Sequence, residues 1–361
     1  MKKGIKYIGG IIMLLLMQYI AAAQDPFFSQ AFLSPIYTNP AATGSGEYDL
    51  RVSAIHRRHW MSIPSQFNYS AVSIDKFVSS LSSGFGLMGI NSSEGYLKSN
   101  GFYASYAYSV CAGTESVAEN GGMPKWFWTS GMQFGMLQRK IDFSKLVFAD
   151  ELNINGVIPG MVSEADAAIR SGKFIPDIAA GTYFHYALTE NSRILAGFSA
   201  HHLNRPDESL LSTGDTIRSQ LPVRWTGNLM YTYTNPERSW SYSVSAIGYQ
   251  QAQHKNYQVG VEITQNEYNI SLGAWYRTSG TFKDMHTIGL SVAFNILGRN
   301  GERSKIKAGI AHDALVGNGN GYSYTGGSTE AAIIWDYQSY NVNSDDPCKP
   351  RINSTSACPI R

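Results

Sequence analysis

Runs in which every second side chain is apolar recur along most of this 361-residue chain, and a run of that kind specifies a strand with two unlike faces. Phe102, Ala104, Tyr106, Tyr108 and Val110 make one row, with Tyr103, Ser105 and Ser109 opposite. Ile178, Ala180, Phe184, Tyr186 and Leu188 make another, interrupted by Thr182. The same alternation runs through 223–233, 257–264, 268–276 and 288–296. Weaker runs lie near 47–58, 66–75, 84–92, 127–138, 193–203, 239–249, 304–312 and 329–339. Together they predict about fourteen strands, an even count of the kind a bacterial membrane barrel requires. A soluble β-sandwich also alternates, but its strands usually stop at about 5–6 residues. Many runs here approach the roughly 9–11 residues that a tilted strand needs to cross a bilayer.

Composition agrees with an all-β outer-membrane antiparallel barrel. Charged residues are 16% of the chain, against about 25% in ordinary soluble domains. Trp60, Trp126, Trp128, Trp225, Trp240 and Tyr276 fall near strand ends, where interface girdles belong. The net charge is +2 with no basic block, so no nucleic-acid partner is expected.

The ends of the chain carry different signals. Lys2, Lys3 and Lys6 precede an apolar stretch over 11–20, and Ala21-Ala22-Ala23 supplies the small residues of a processing site, as in a secretory leader. Cleavage is expected after Ala23, and no cysteine follows that would carry a lipid anchor. The expected organisation is a signal peptide over 1–23, an N-terminal periplasmic segment over 24–46, a transmembrane β-barrel over 47–340 and a C-terminal tail over 341–361. Within the barrel, 140–173 is the least strand-like stretch and is expected to be a long outward loop with a short helix over 164–170.

Candidate chemistry is sparse. His201 and His202 are adjacent in a strand-like run, which points their side chains to opposite faces and denies them a shared metal. His56 and His59 differ in parity too. Neither a zinc-protease helix motif nor a nucleophile elbow occurs, so no catalytic residue, metal or cofactor is expected. Cys348 and Cys358 lie in a Pro-containing tail and are expected to form a disulfide in an oxidising compartment, leaving Cys111 as a free thiol. The N-terminal aromatics Phe27, Phe28, Phe32 and Tyr37 admit two readings: a docking strip for a protein partner, or a plug that braces the barrel. Arg51, Arg57 and Arg58 are expected to line the lumen near one mouth, paired with Asp or Glu.

Read in order, several motifs resemble one family. They are Gln24-Asp25-Pro26-Phe27-Phe28-Ser29-Gln30, Pro35-Ile36-Tyr37-Thr38-Asn39-Pro40-Ala41 with Gly44, the Arg57-Arg58 and Trp60 group, and Pro176-Asp177 leading to Gly181. Ala200-His201-His202-Leu203-Asn204-Arg205-Pro206, Gly273-Ala274-Trp275-Tyr276-Arg277, Gly321-Tyr322-Ser323-Tyr324, Gly327-Ser328-Thr329-Glu330 and Cys358-Pro359 continue the series. This ordered set resembles the PorP/SprF family of type IX secretion system membrane proteins. Thr325 stands where that family usually has Asp, and Thr329 where it usually has His. The resemblance implies a barrel in outer-membrane lipid that works by protein contacts rather than catalysis. Its implied partners are the periplasmic ring and cell-wall anchor proteins of the secretion machinery, or a large exported surface protein such as a gliding adhesin. A passive porin-like channel and a barrel enzyme are the competing functions.

Overall fold

The computed structural model describes residues 25–337 apart from 46–48, 65–66, 112–124, 142–145, 155, 159, 162, 164–171, 190, 211–218, 236, 281–285, 298–303 and 318–320. Among the described residues, fourteen antiparallel strands close into one barrel. They are β1 (Leu50–His59), β2 (Phe67–Val78), β3 (Ser83–Glu94), β4 (Leu97–Cys111), β5 (Trp126–Ile141), β8 (Phe174–Thr189) and β9 (Ser192–His201) in the first half. The second half comprises β10 (Arg224–Asn235), β11 (Trp240–Gln251), β12 (His254–Gln265), β13 (Ile270–Ser279), β14 (His286–Leu297), β15 (Ser304–Val316) and β16 (Ser328–Tyr337). Two short strands, β6 (Leu152–Asn153) and β7 (Gly156–Val157), pair outside the barrel. Every alternating run read from the sequence is a barrel strand. Closure pairs β1 with β16, Leu50 opposite Tyr337 and His59 opposite Ser328, so no edge is left with unpaired backbone groups in lipid.

Alternation sorts the two faces. On β2, Ala71, Ser73 and Asp75 are buried inside while Val72 and Ile74 are exposed outside. The outer wall carries Leu87, Phe102, Phe134, Leu229, Val259, Leu272 and Leu290, and Trp126, Trp128, Trp225, Trp240 and Tyr276 join it as expected of girdle residues. Trp60 instead leaves β1 with φ 54 and lines a cavity at one mouth.

The two mouths differ. At the terminal end, where β1 begins and β16 finishes, most connections are short, among them 190–191, 236–239 and 266–269, and 112–125 is the long exception. At the far end, 142–173 and 202–223 are long. Short turns mark the periplasmic side of such barrels and long loops the outside.

The segment before β1 does not lie below the barrel on the periplasmic side, as the sequence suggested. It runs through the lumen as three short helical turns, Ala31–Leu33, Pro35–Thr38 and Pro40–Ala42, with Ile36, Ala41 and Ala42 fully buried. Asp25 is held at the far end and Gly44 reaches the terminal end beside Asp75 and Gly84. The stretch carries Leu33 and Ile36 to bury against the inner wall, each worth about 1.5–3 kcal/mol.

The leader 1–23, the tail 341–361 with Cys348 and Cys358, and the helix expected over 164–170 lie outside the described residues. Cys111 is not a free thiol: it is disulfide-bonded. The chain has three cysteines, so a Cys111 bond within the chain and a Cys348–Cys358 bond are mutually exclusive. Cys111 ends β4 at the terminal mouth, where β16 also ends.

Candidate functional site: a pinned plug and the vestibule above it

Three stations hold the plug. At the far end, the Glu330 carboxylate accepts the backbone N–H groups of Ser29 at 2.8 Å and Gln30 at 2.7 Å. Ser29 Oγ donates to Asp313 and accepts from Arg277 Nη2 at 2.8 Å, while its carbonyl accepts from Gln258 Nε2 at 3.1 Å. Arg57 pairs with Asp313 at 2.8 Å and with Glu330 at 3.3 Å, and Trp275 Nε1 donates to Asp313 at 2.9 Å. The Phe27 ring lies between the two guanidiniums, 5.0 Å from Arg57 and 4.3 Å from Arg277. Charges buried this deeply are tolerable only when each finds partners, and here each does.

Beside that cluster, His202 bridges two carboxylates, Nε2 to Asp25 at 2.6 Å and Nδ1 to Asp177 at 2.9 Å. Both ring nitrogens therefore donate, as only the imidazolium can. Burial opposes the charge, yet Asp25 and Asp177 outweigh it and raise His202 to about 9. Burial likewise pushes the Asp25 carboxyl up, but His202 and Arg224 hold it well below the usual carboxylate range. Arg224 pairs with Asp25 at 3.1 Å, donates to Tyr37 Oη at 3.1 Å and lies 4.9 Å over the Tyr37 ring. Tyr37 in turn donates to the Pro26 carbonyl and meets Phe28 edge-on at 5.0 Å.

The middle station is Asn39, whose Nδ2 donates to the carbonyls of Thr182 and Phe198 and whose Oδ1 caps the next turn at Ala41 N–H. Ser199 Oγ donates to Thr38 O at 2.8 Å. The wall must come close here. A Cβ at Gly181 would stand 2.1 Å from Asn39 Oδ1, and one at Gly131 2.6 Å from the Ala41 backbone. At the terminal end, Asp75 accepts from Gly44 N–H at 2.7 Å and from Arg51, which also donates to the carbonyls of Ala42 and Ser45.

Several expectations are thereby corrected. Phe28 and Tyr37 are 3% and 6% exposed, Phe32 packs toward Phe127 and Tyr183, and Phe27 is half-buried, so the four do not form an exposed strip. Arg51 and Arg57 do face the lumen with acidic partners, but at opposite ends, and Arg58 points outward from β1. His201 and His202 do not face opposite ways. The strand ends at His201, His202 takes φ 59, and both rings turn into the barrel, 6.4 Å apart. Asp313, Arg224, Glu330 and Asp25 carry no functional signature in the sequence. Their only signal was position on the inner parity of a strand, or inside a motif.

Above the plug lies a vestibule of about 560 Å³. Its floor is Asp25, Pro26 and Phe27, and Arg57, Trp60, Tyr69, Glu94, Tyr249 and Arg277 are among its walls.

A closed fourteen-stranded barrel with an apolar outer wall and a plugged lumen defines an outer-membrane β-barrel protein. The chain matches the family of type IX secretion system membrane proteins PorP/SprF over residues 20–334, and it belongs to that family. Solved structures with a similar trace include a monoaromatic hydrocarbon channel, a TodX deletion mutant, at TM-score 0.47 and 10% identity, covering 86% of this chain and 95% of that one. The Pseudomonas putida toluene transporter TodX gives 0.43 and 9%, covering 88% and 96%. A Pseudomonas aeruginosa FadL homologue gives 0.42 and 10%, covering 84% and 92%. Among curated proteins, none matches the sequence.

Proposed function

We propose that this barrel serves type IX secretion through protein contacts at its two ends, in the export or surface anchoring of exported proteins such as gliding adhesins. The observation that carries this reading is the filled lumen. Residues 25–45 occupy the path a solute would take, hydrogen-bonded at both ends to buried ion pairs of the wall and tied at the far end by the Asp25–Arg224 pair. A passive porin would need that segment to leave, and a catalytic role has no place in this reading. The terminal end, on the periplasmic side by its short turns, suits the periplasmic ring and cell-wall anchor proteins. The far end, with its long connections and vestibule, suits an exported protein. Of the four N-terminal aromatics, Phe27 alone lines the vestibule, so a partner entering from outside would meet Phe27.

The test is recovery of the tagged protein in mild detergent followed by mass spectrometry, with planar-bilayer recording of the same preparation. Secretion-machine or large exported proteins should co-purify, and the bilayer should stay silent. Steady ion conduction from the wild type, with normal secretion in its absence, would overturn the reading.

A further inference from the structure

The outer wall is not uniform around the barrel. At the far end of β10, β12 and β13 the outward residues are Trp225, Tyr257 and Tyr276, all exposed, as an interface girdle requires. Across β1 to β5, below the exposed Tyr96 of the β3–β4 turn, the far-end positions of the strands instead carry three rows of outward residues in strict lateral register.

The row nearest the far end is Arg58, Asn68, Ser93, Lys98 and Lys140, each opposite the next. It carries three cations and no carboxylate. The row beneath is His56, Ser70, Asn91, Asn100 and Gln138, all hydrogen-bonding groups. Within it His56 Nδ1 meets Ser70 Oγ at 2.8 Å, and Asn91 Nδ2 donates to Asn100 Oδ1 at 2.7 Å. The third row, reached one step further toward the terminal end, is Ala54, Val72, Gly89, Phe102 and Met136, with Val72 54% and Phe102 65% exposed. At a strand spacing of about 4.8 Å, the patch is roughly 19 Å wide.

The order cation, amide and hydroxyl, then apolar is the order of groups in an amphiphile whose phosphates are outermost, whose sugars lie below them and whose acyl chains run down the wall. Polar side chains on a lipid-facing wall are otherwise costly, and cations near a lipid surface draw anionic headgroups. We propose that this patch is a binding site for a phosphorylated glycolipid of the outer leaflet. Arg58, Lys98 and Lys140 hold phosphate, the amide row holds sugar hydroxyls, and Val72, Phe102 and Met136 pack the acyl chains.

Two measurements test it. In the first, Arg58→Gln, Lys98→Gln and Lys140→Gln are combined and the phosphorylated glycolipid retained per barrel in mild detergent is weighed by mass spectrometry. Retention should fall at least about fivefold, the effect of losing a single cation near a lipid surface. Lys255→Gln on the opposite wall should retain what the wild type retains. Unchanged retention in the triple variant would overturn the site. In the second, which needs no charge change, a photo-reactive residue replaces Asn91 in cells. A glycolipid adduct supports the site. A protein adduct, a diacyl phospholipid adduct or no adduct overturns it.

Discussion

Glu330 on β16 accepts the backbone N–H of Ser29 at 2.8 Å, closing a contact across 301 residues of chain. The same carboxylate holds Gln30 N–H and faces Arg57, which is 1% exposed. The last strand of the barrel is thus latched to the first turn of the plug, and the plug is part of the closure of the barrel.

Glu330→Ala should unlatch it. The change strands two N–H groups and removes one of the two carboxylates paired with Arg57. Breaking a buried pair by removing one partner costs roughly 3–5 kcal/mol. The variant should show conductance steps in planar bilayers that the wild type lacks, and the heat-modified gel shift should come at lower temperature. A silent bilayer with an unchanged gel shift would mean that the latch is not what holds the plug.

The His202 bridge gives the plug a pH dependence whose sign follows from its elevated value. A histidine raised from its ordinary value to about 9 contributes stability that is fully present below about 6.5. That contribution, on the order of 3 kcal/mol, is lost as pH rises through about 9. Asp25 works the other way. Held below the usual range, it contributes above the ordinary carboxylate value and loses that contribution only in strong acid. The protection of the residue 25–30 amides, taken relative to their intrinsic exchange rate at each pH, should therefore be high near neutrality and fall between pH 7 and 9.5. His202→Phe should remove that step, and a wild type with no step would refute the charged bridge.

Close packing of the plug on the wall predicts a glycine contrast. Gly131→Val places a branched side chain where even a Cβ would stand 2.6 Å from the Ala41 backbone, and overpacking of this kind typically costs about 1–3 kcal/mol. Gly227→Ala meets nothing within 4 Å and should leave the transition where it is. Equal transitions in the two variants would contradict the seating of the plug against β5.

The alternation of Val72 and Ile74 against Ser73 and Asp75 made the wall legible, because one face meets lipid and the other does not. The motifs behind the family resemblance proved to be largely the plug contacts: Ser29, Asn39, Arg57, Asp177, His202, Arg277 and Glu330. What they touch was not legible, since residues 25–45 have no period and many of their partners, such as Glu330, Thr182 and His202, lie more than a hundred positions away. Arg58 was misplaced in the lumen, although strand parity alone separates it from Arg57. Cys111 was misread because a strand position says nothing of which distant thiol approaches its end.

The disulfide can be settled by non-reducing peptide mapping. Cys111 should appear linked to a peptide containing Cys348 or Cys358, with the remaining thiol alkylated before reduction. A Cys348–Cys358 peptide with Cys111 alkylated would contradict the bonded state of Cys111.

The last prediction separates plug from partner contact at two adjacent residues. Phe28 is 3% exposed within a cluster that includes Leu33, Ile36 and Tyr37. Phe28→Ala should therefore cost about 3–5 kcal/mol as a buried aromatic truncated to a cavity, seen as a lowered gel-shift temperature and leakage of ions. Phe27 is half-buried on the vestibule floor, between Arg57 and Arg277. Each cation–π contact there is worth about 0.5–2 kcal/mol, so Phe27→Ala should loosen the plug less than Phe28→Ala. If an exported partner enters the vestibule, Phe27→Ala should lower its co-purification while conductance stays at the wild-type level. Normal partner recovery and normal surface display in Phe27→Ala would remove the vestibule floor from the partner interface. A loss of recovery that tracks the fall in gel-shift temperature equally in both variants would mean that the four aromatics act through the plug alone.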